Sequence, residues 1–165
     1  MKKLKLSASS IELHSDSPAA TEALGEQIGR LLRPSDTLRL SGNLGAGKTC
    51  LARGITRGWG AVETASSPTF ALINEYHRPD GARLYHVDGY RLSGMADAVS
   101  TGLEDALDSG QIVVIEWPEH ISDLLPDDSL LVELTDTGKT TRHIVISAGG
   151  KLSQRLVDAF AGLNP

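Results

Sequence analysis

The sequence predicts an α/β fold, a three-layer sandwich around a mixed, mostly parallel central sheet with an antiparallel hairpin. Three observations carry this. Gly42-Asn43-Leu44-Gly45-Ala46-Gly47-Lys48-Thr49 is a complete Gly-x4-Gly-Lys-Thr phosphate loop, the mark of a P-loop NTPase-like fold. A strand-like run, Thr37-Leu38-Arg39-Leu40, enters the loop, and an amphipathic helix with Leu51, Ile55 and Trp59 on one face leaves it. Two later apolar runs end in carboxylates, Asp88 and Glu116, as strands of an open α/β sheet do beside a ligand.

The remaining elements follow in chain order. Leu4 to Leu6 and Ile11 to Leu13 alternate as short strands. Asp16, Ser17 and Pro18 start a helix with Leu24, Ile28, Leu31 and Leu32 on one face, and Arg33-Pro34 stops it. Gly58 and Gly60 break the helix after the phosphate loop, and Thr64 to Pro68 reads as a loop. Phe70 to Tyr76 and Arg83 to Val87 are strands joined through Arg78-Pro79-Asp80-Gly81, a hairpin signal. Ser93 to Ser109 is polar and partly helical, with Leu103 and Leu107 on one face. Gln111 to Ile115 reads as a buried strand. Ser129 to Leu134 and Arg142 to Ile146 are strands around a turn at Asp136-Thr137-Gly138-Lys139, and a terminal helix carries Leu152, Leu156, Val157 and Phe160.

Size and composition set bounds. The 165 residues make one domain, 1–165, too short for a separate substrate domain, so a partner is expected to complete whatever the triphosphate drives. A net charge of −5 argues against a large electropositive footprint for nucleic acid. No apolar stretch approaches membrane-spanning length and the basic start lacks an apolar signal region, so the cytoplasm is expected. Cys50 is the sole cysteine, which excludes an intrachain disulfide; it reads as a small packed residue or as a redox-sensitive thiol near the phosphates.

The phosphate loop dictates what else to seek. Its glycines let successive N–H groups point inward onto a polyphosphate, Lys48 reaches the β and γ phosphates, and Thr49 offers a hydroxyl to Mg²⁺. Hydrolysis then needs a placed metal and an oriented water. Asp88 and Glu116 are the candidate carboxylates; Asp88 also reads as a turn residue, since Gly89 follows it. Trp117 is either core or a wall of the nucleotide site. Thr69, in Ser67-Pro68-Thr69-Phe70, either initiates a strand or senses the γ-phosphate from a mobile loop.

Four segments together resemble one family. The phosphate loop, Ser67-Pro68-Thr69-Phe70, Tyr85-His86-Val87-Asp88-Gly89-Tyr90-Arg91-Leu92 and Glu116-Trp117-Pro118-Glu119 are similar, in order, to the motifs of the TsaE (YjeE) ATPases of tRNA threonylcarbamoyladenosine synthesis. The resemblance implies ATP at Leu44, Gly45, Ala46, Gly47, Lys48 and Thr49, Mg²⁺ held by Thr49 and Glu116, and Asp88 needed for hydrolysis. It also implies a working role for Thr69 and a place beside the nucleotide for Trp117. Base contacts would fall near Pro18 to Thr21 and near Gly138. The implied partners are the TsaD and TsaB proteins, with tRNA met through that complex and ATP hydrolysis resetting it.

Three rival functions stand beside this one. A small-molecule kinase shares the phosphate loop, but Ser93 to Ser109 has no Arg or Lys and makes a poor lid. A GTPase switch would need Asn-Lys-x-Asp and Asp-x-x-Gly, and neither occurs. A non-enzymatic assembly module that binds nucleotide for shape is disfavoured by two strand-end carboxylates, which are costly near phosphates without a cation.

Overall fold

The computed structural model describes residues 2–63, 72–92 and 100–162. Strands β1 (Lys2–Leu6) and β2 (Ser10–Ser15) form an antiparallel pair. Helix α1 (Pro18–Leu31) begins where the sequence places it, because the Ser17 side chain accepts the Ala20 N–H at 3.1 Å and Pro18 occupies the first turn, where its missing N–H costs nothing. Strand β3 (Thr37–Ser41) enters the phosphate loop and α2 (Lys48–Trp59) leaves it. Strands β4 (Ile73–His77) and β5 (Arg83–Asp88) make the expected antiparallel hairpin. Phe70 and Thr69 lie outside the described residues, as do residues 93–99 of the polar segment. Beyond it come α3 (Leu103–Asp108), β6 (Ile112–Glu116), β7 (Leu130–Asp136), β8 (Arg142–Ala148) and α4 (Lys151–Gly162). Strands β7 and β8 each run two residues past the expected end, because their ladder continues to Asp136↔Arg142 at one end and Leu130↔Ala148 at the other.

Among the described residues the strands form one sheet in the order β1-β2-β8-β7-β3-β6-β5-β4. The central strands β7, β3, β6 and β5 are mutually parallel, and antiparallel pairs flank them on both sides. The four apolar residues of β6 explain its central place: Ile112 and Val114 enter one core, Val113 and Ile115 the other. The larger core packs α1, α2 and α4 on one face. The smaller sets Leu103 of α3 and Ile121 and Leu125, in and just after the 3-10 segment Pro118–Leu124, on the other face. Three layers result. Truncating a fully buried leucine such as Leu40 would cost roughly 2–5 kcal/mol.

Helices α1 and α2 meet backbone to backbone. A Cβ on Gly54 would lie 2.1 Å from the Glu22 carbonyl oxygen, so only glycine permits the approach. Arg57 pairs with Glu22 at 2.9 Å and with Glu26 across the same seam. The phosphate-loop helix is therefore braced along its length. Among the described residues no helix is long and apolar enough to cross a membrane.

Candidate active site

Sheet register brings the chemistry together. In the parallel ladders Leu40 pairs with Glu116 and Glu116 with Asp88, so both carboxylates sit at the sheet end where β3 passes into the phosphate loop. A cleft of about 420 Å³ opens there. Leu44, Gly45, Gly47, Lys48, Thr49 and Cys50 line one side, and Asp88, Tyr90, Arg91, Glu116 and Trp117 the other. Gly47, which leads into α2 at φ 104° and ψ 13°, holds a left-handed conformation that strains any other residue. The first-turn N–H groups of α2 have no intrahelical acceptor, so this helix end presents backbone donors to the cleft. Ala46 stands apart from its neighbours. It is buried, its N–H donates to the Asn43 carbonyl at 3.0 Å, and it shapes the loop from behind.

The Lys48 ammonium donates to the carbonyls of Gly42 and Asn43 and lies 3.6 Å from the centroid of the Trp117 ring. Burial pushes its pKa below the ordinary lysine value, against the opposing pull of Glu116 first and then Glu119, Asp88 and Asp136. Thr49 Oγ1 donates to Glu116 Oε2 at 3.0 Å, and His86 Nε2 bonds Glu116 Oε1 at 2.9 Å. Glu116 is 5% exposed and His86 1% exposed, so this carboxylate is held almost out of water.

Asp88 satisfies both of its readings at once. Its Oδ1 accepts the Tyr90 N–H at 3.2 Å, capping the 3-10 turn Gly89–Arg91, while the carboxylate lines the cleft with Arg91 Nε 3.6 Å from Oδ2. Trp117 belongs to the cleft wall rather than the core. It is half-buried with φ 58° and ψ 52°, a left-handed conformation uncommon for a bulky residue, and its ring lies 5.1 Å from that of Tyr90. Such a backbone costs of order 1–2 kcal/mol and aims the indole at Lys48.

Cys50 lines the cleft, yet its thiol donates to the Pro18 carbonyl at 3.3 Å, and burial together with Glu22 raises its pKa. That direction opposes a reactive thiolate. Of the two regions expected near the base, one borders the loop and the other is linked to it through Arg142. Thr21 lies against Gly47 with its hydroxyl bonded to Ser15 at 2.8 Å, and the Gly138 carbonyl accepts from Arg142. Thr69 falls outside the described residues.

Two residues in this assembly escaped sequence reasoning. Arg142, on β8, donates to Ala46 O at 2.8 Å and Gly45 O at 3.0 Å, and also to Thr141 O at 2.8 Å and Gly138 O at 3.1 Å. One guanidinium thus ties the back of the phosphate loop to the β7–β8 turn, through main-chain acceptors that leave no trace in sequence. His86 had a signal: it stands two residues before Asp88 on a strand, hence on the same face.

Comparison with known proteins follows the same lines. The family model described as "Threonylcarbamoyl adenosine biosynthesis protein TsaE" matches residues 15–144. A Streptomyces coelicolor protein named tRNA threonylcarbamoyladenosine biosynthesis protein TsaE is 38% identical over 133 residues, 78% of this chain and 90% of that protein. The Bacillus subtilis protein of the same name is 32% identical over 145 residues, 87% and 89% of the two chains. The crystal structure of Bacillus subtilis YdiB superposes with a TM-score of 0.76 at 27% identity, covering 92% of this chain and 94% of that one. With its phosphate loop, its paired strand-end carboxylates and these relatives, the chain belongs to the TsaE family of threonylcarbamoyl adenosine biosynthesis proteins.

Proposed function

We propose that this chain is a Mg²⁺-dependent ATPase of tRNA threonylcarbamoyladenosine biosynthesis, hydrolysing ATP to cycle a TsaB–TsaD complex that performs the transfer. The observation that carries the reading is the 3.0 Å contact between Thr49 Oγ1 and Glu116 Oε2, which joins the loop hydroxyl and a strand-end carboxylate at one point in the cleft. Both are hard oxygen donors, the kind Mg²⁺ takes, and Mg²⁺ sites commonly use one or two carboxylates beside phosphates and water. The residues present fit the ion, which when bound would neutralise phosphate charge.

The chain's own groups divide the remaining work. Main-chain donors from Leu44 to Thr49 seat the phosphates, with Ala46 holding the loop's shape, and Lys48 exchanges its loop carbonyls for phosphate oxygens. Asp88 serves hydrolysis from the cleft wall, and Trp117 walls the nucleotide. Thr69 acts as the switch-like threonine, and the Pro18–Thr21 and Gly138 regions meet the base. The net charge of −5 suits a cytoplasmic protein that reaches tRNA through its complex.

Hydrolysis of γ-labelled ATP tests the proposal. The isolated chain is expected to turn over slowly and faster with TsaB and TsaD, releasing label as inorganic phosphate. Label on an organic acceptor would instead indicate a small-molecule kinase. Lys48→Ala and Glu116→Ala are expected to abolish hydrolysis and tRNA modification together; modification unchanged in either variant would overturn the reading.

A further inference from the structure

We propose that His86 is the positioning residue of this site: it fixes one oxygen of Glu116, so that only Oε2 is presented to Thr49 and the divalent cation. The inference rests on the reading of Thr49 and Glu116 as the holders of that cation. His86 lies on β5 directly beside β6, on the sheet face that also carries Leu84, Ile112 and Val114. It is 1% exposed, and its Nε2 is 2.9 Å from Glu116 Oε1. Since a carboxylate oxygen accepts, the ring donates through Nε2. Its other nitrogen, Nδ1, is buried and has no hydrogen-bond partner among the described residues.

That orphan is informative. A buried imidazole with one unsatisfied nitrogen is dearer than the leucine or phenylalanine that would fill the same space, so the ring is explained by the bond it makes, not by packing. The two oxygens of Glu116 are also held differently. Oε2 takes its hydrogen bond from Thr49, a hydroxyl on the phosphate-loop helix that the proposed function assigns to the metal. Oε1 takes its bond from a ring enclosed in the sheet, with the Tyr76 ring centroid 6.3 Å away. With Thr49 and Glu116 as its holders, the cation would meet Oε2, while the bond from His86 keeps Oε1 fixed. Partners of this kind typically account for about ten- to hundredfold in metal affinity.

The full chain, titrated calorimetrically with a non-hydrolysable ATP analogue with and without Mg²⁺, tests this in wild type, His86→Gln and His86→Asn. The Gln amide nitrogen falls near the position of imidazole Nε2 and can donate to Oε1, whereas Asn places its donor near Nδ1. Wild type is expected to bind more tightly with Mg²⁺, His86→Gln to keep most of that ratio, and His86→Asn to lose about tenfold of it. Affinity without Mg²⁺ is expected to be unchanged in both, which a merely structural role would not give. A wild-type ratio in His86→Asn, or an equal loss in both variants, overturns the proposal. A ratio of one in wild type itself overturns the metal assignment to Thr49 and Glu116.

Discussion

The Lys48 ammonium lies 3.6 Å from the centroid of the Trp117 ring, a cation over an indole face at the mouth of the phosphate loop. Phosphates drawing Lys48 forward would break that contact. Tryptophan emission is therefore expected to change on nucleotide binding, and the change is expected to vanish in Trp117→Phe, since the second tryptophan, Trp59, is 4% exposed in the core. A persisting change in Trp117→Phe would assign the signal to Trp59.

Arg142 gives four hydrogen bonds to main-chain carbonyls of the phosphate loop and the β7–β8 turn. Losing them leaves the loop free to sample other shapes before it binds. Arg142→Ala is expected to weaken nucleotide binding about tenfold by calorimetry, roughly the net worth of one or two such bonds. Arg142→Lys should recover little, because an ammonium cannot span four acceptors in a planar fork.

Gly54→Ala probes the α1–α2 seam. Its new methyl would lie 2.1 Å from the Glu22 carbonyl, and the helices must part to admit it. Urea unfolding is expected to show a loss of about 2–3 kcal/mol, despite the better helix propensity of alanine.

Asp128 accepts from the N–H groups of Leu152 at 2.8 Å and Ser153 at 2.9 Å in the first turn of α4. Burial of the carboxyl opposes ionisation, but these bonds with the Ser153 hydroxyl prevail and hold its pKa below the usual value of 3.8. A depressed carboxylate contributes stability that is present above pH 3.8 and is lost as pH falls through the lower folded value. Asp128→Ala is expected to cost about 1 kcal/mol near neutrality, with the gap from wild type closing at acid pH in chemical unfolding curves.

What the sequence revealed and what it hid divide along one physical line. The phosphate loop, the Ser17-Pro18 helix start and the carboxylates closing β5 and β6 were legible, because each is written in adjacent residues with a local consequence. The contact of His86 with Glu116 was not, since it depends on β5 and β6 pairing in a register that sets Asp88 opposite Glu116. Arg142 was hidden more deeply, its partners being backbone carbonyls about a hundred residues away in the chain. Trp117 admitted two readings until its left-handed backbone turned the ring out of the core. The pairing of β2 with β8 likewise joins opposite ends of the chain, beyond the reach of local pattern.

The main-chain contact between α1 and α2 also limits how the phosphate-loop helix can move. Where Gly54 meets the Glu22 carbonyl there is no room for a side chain between the two rods, so sliding α2 along its axis would drive one backbone against the other. Beside the cleft the more yielding pieces of chain are the two short 3-10 segments bearing Tyr90 and His120, whose rings meet that of Trp117 at an angle.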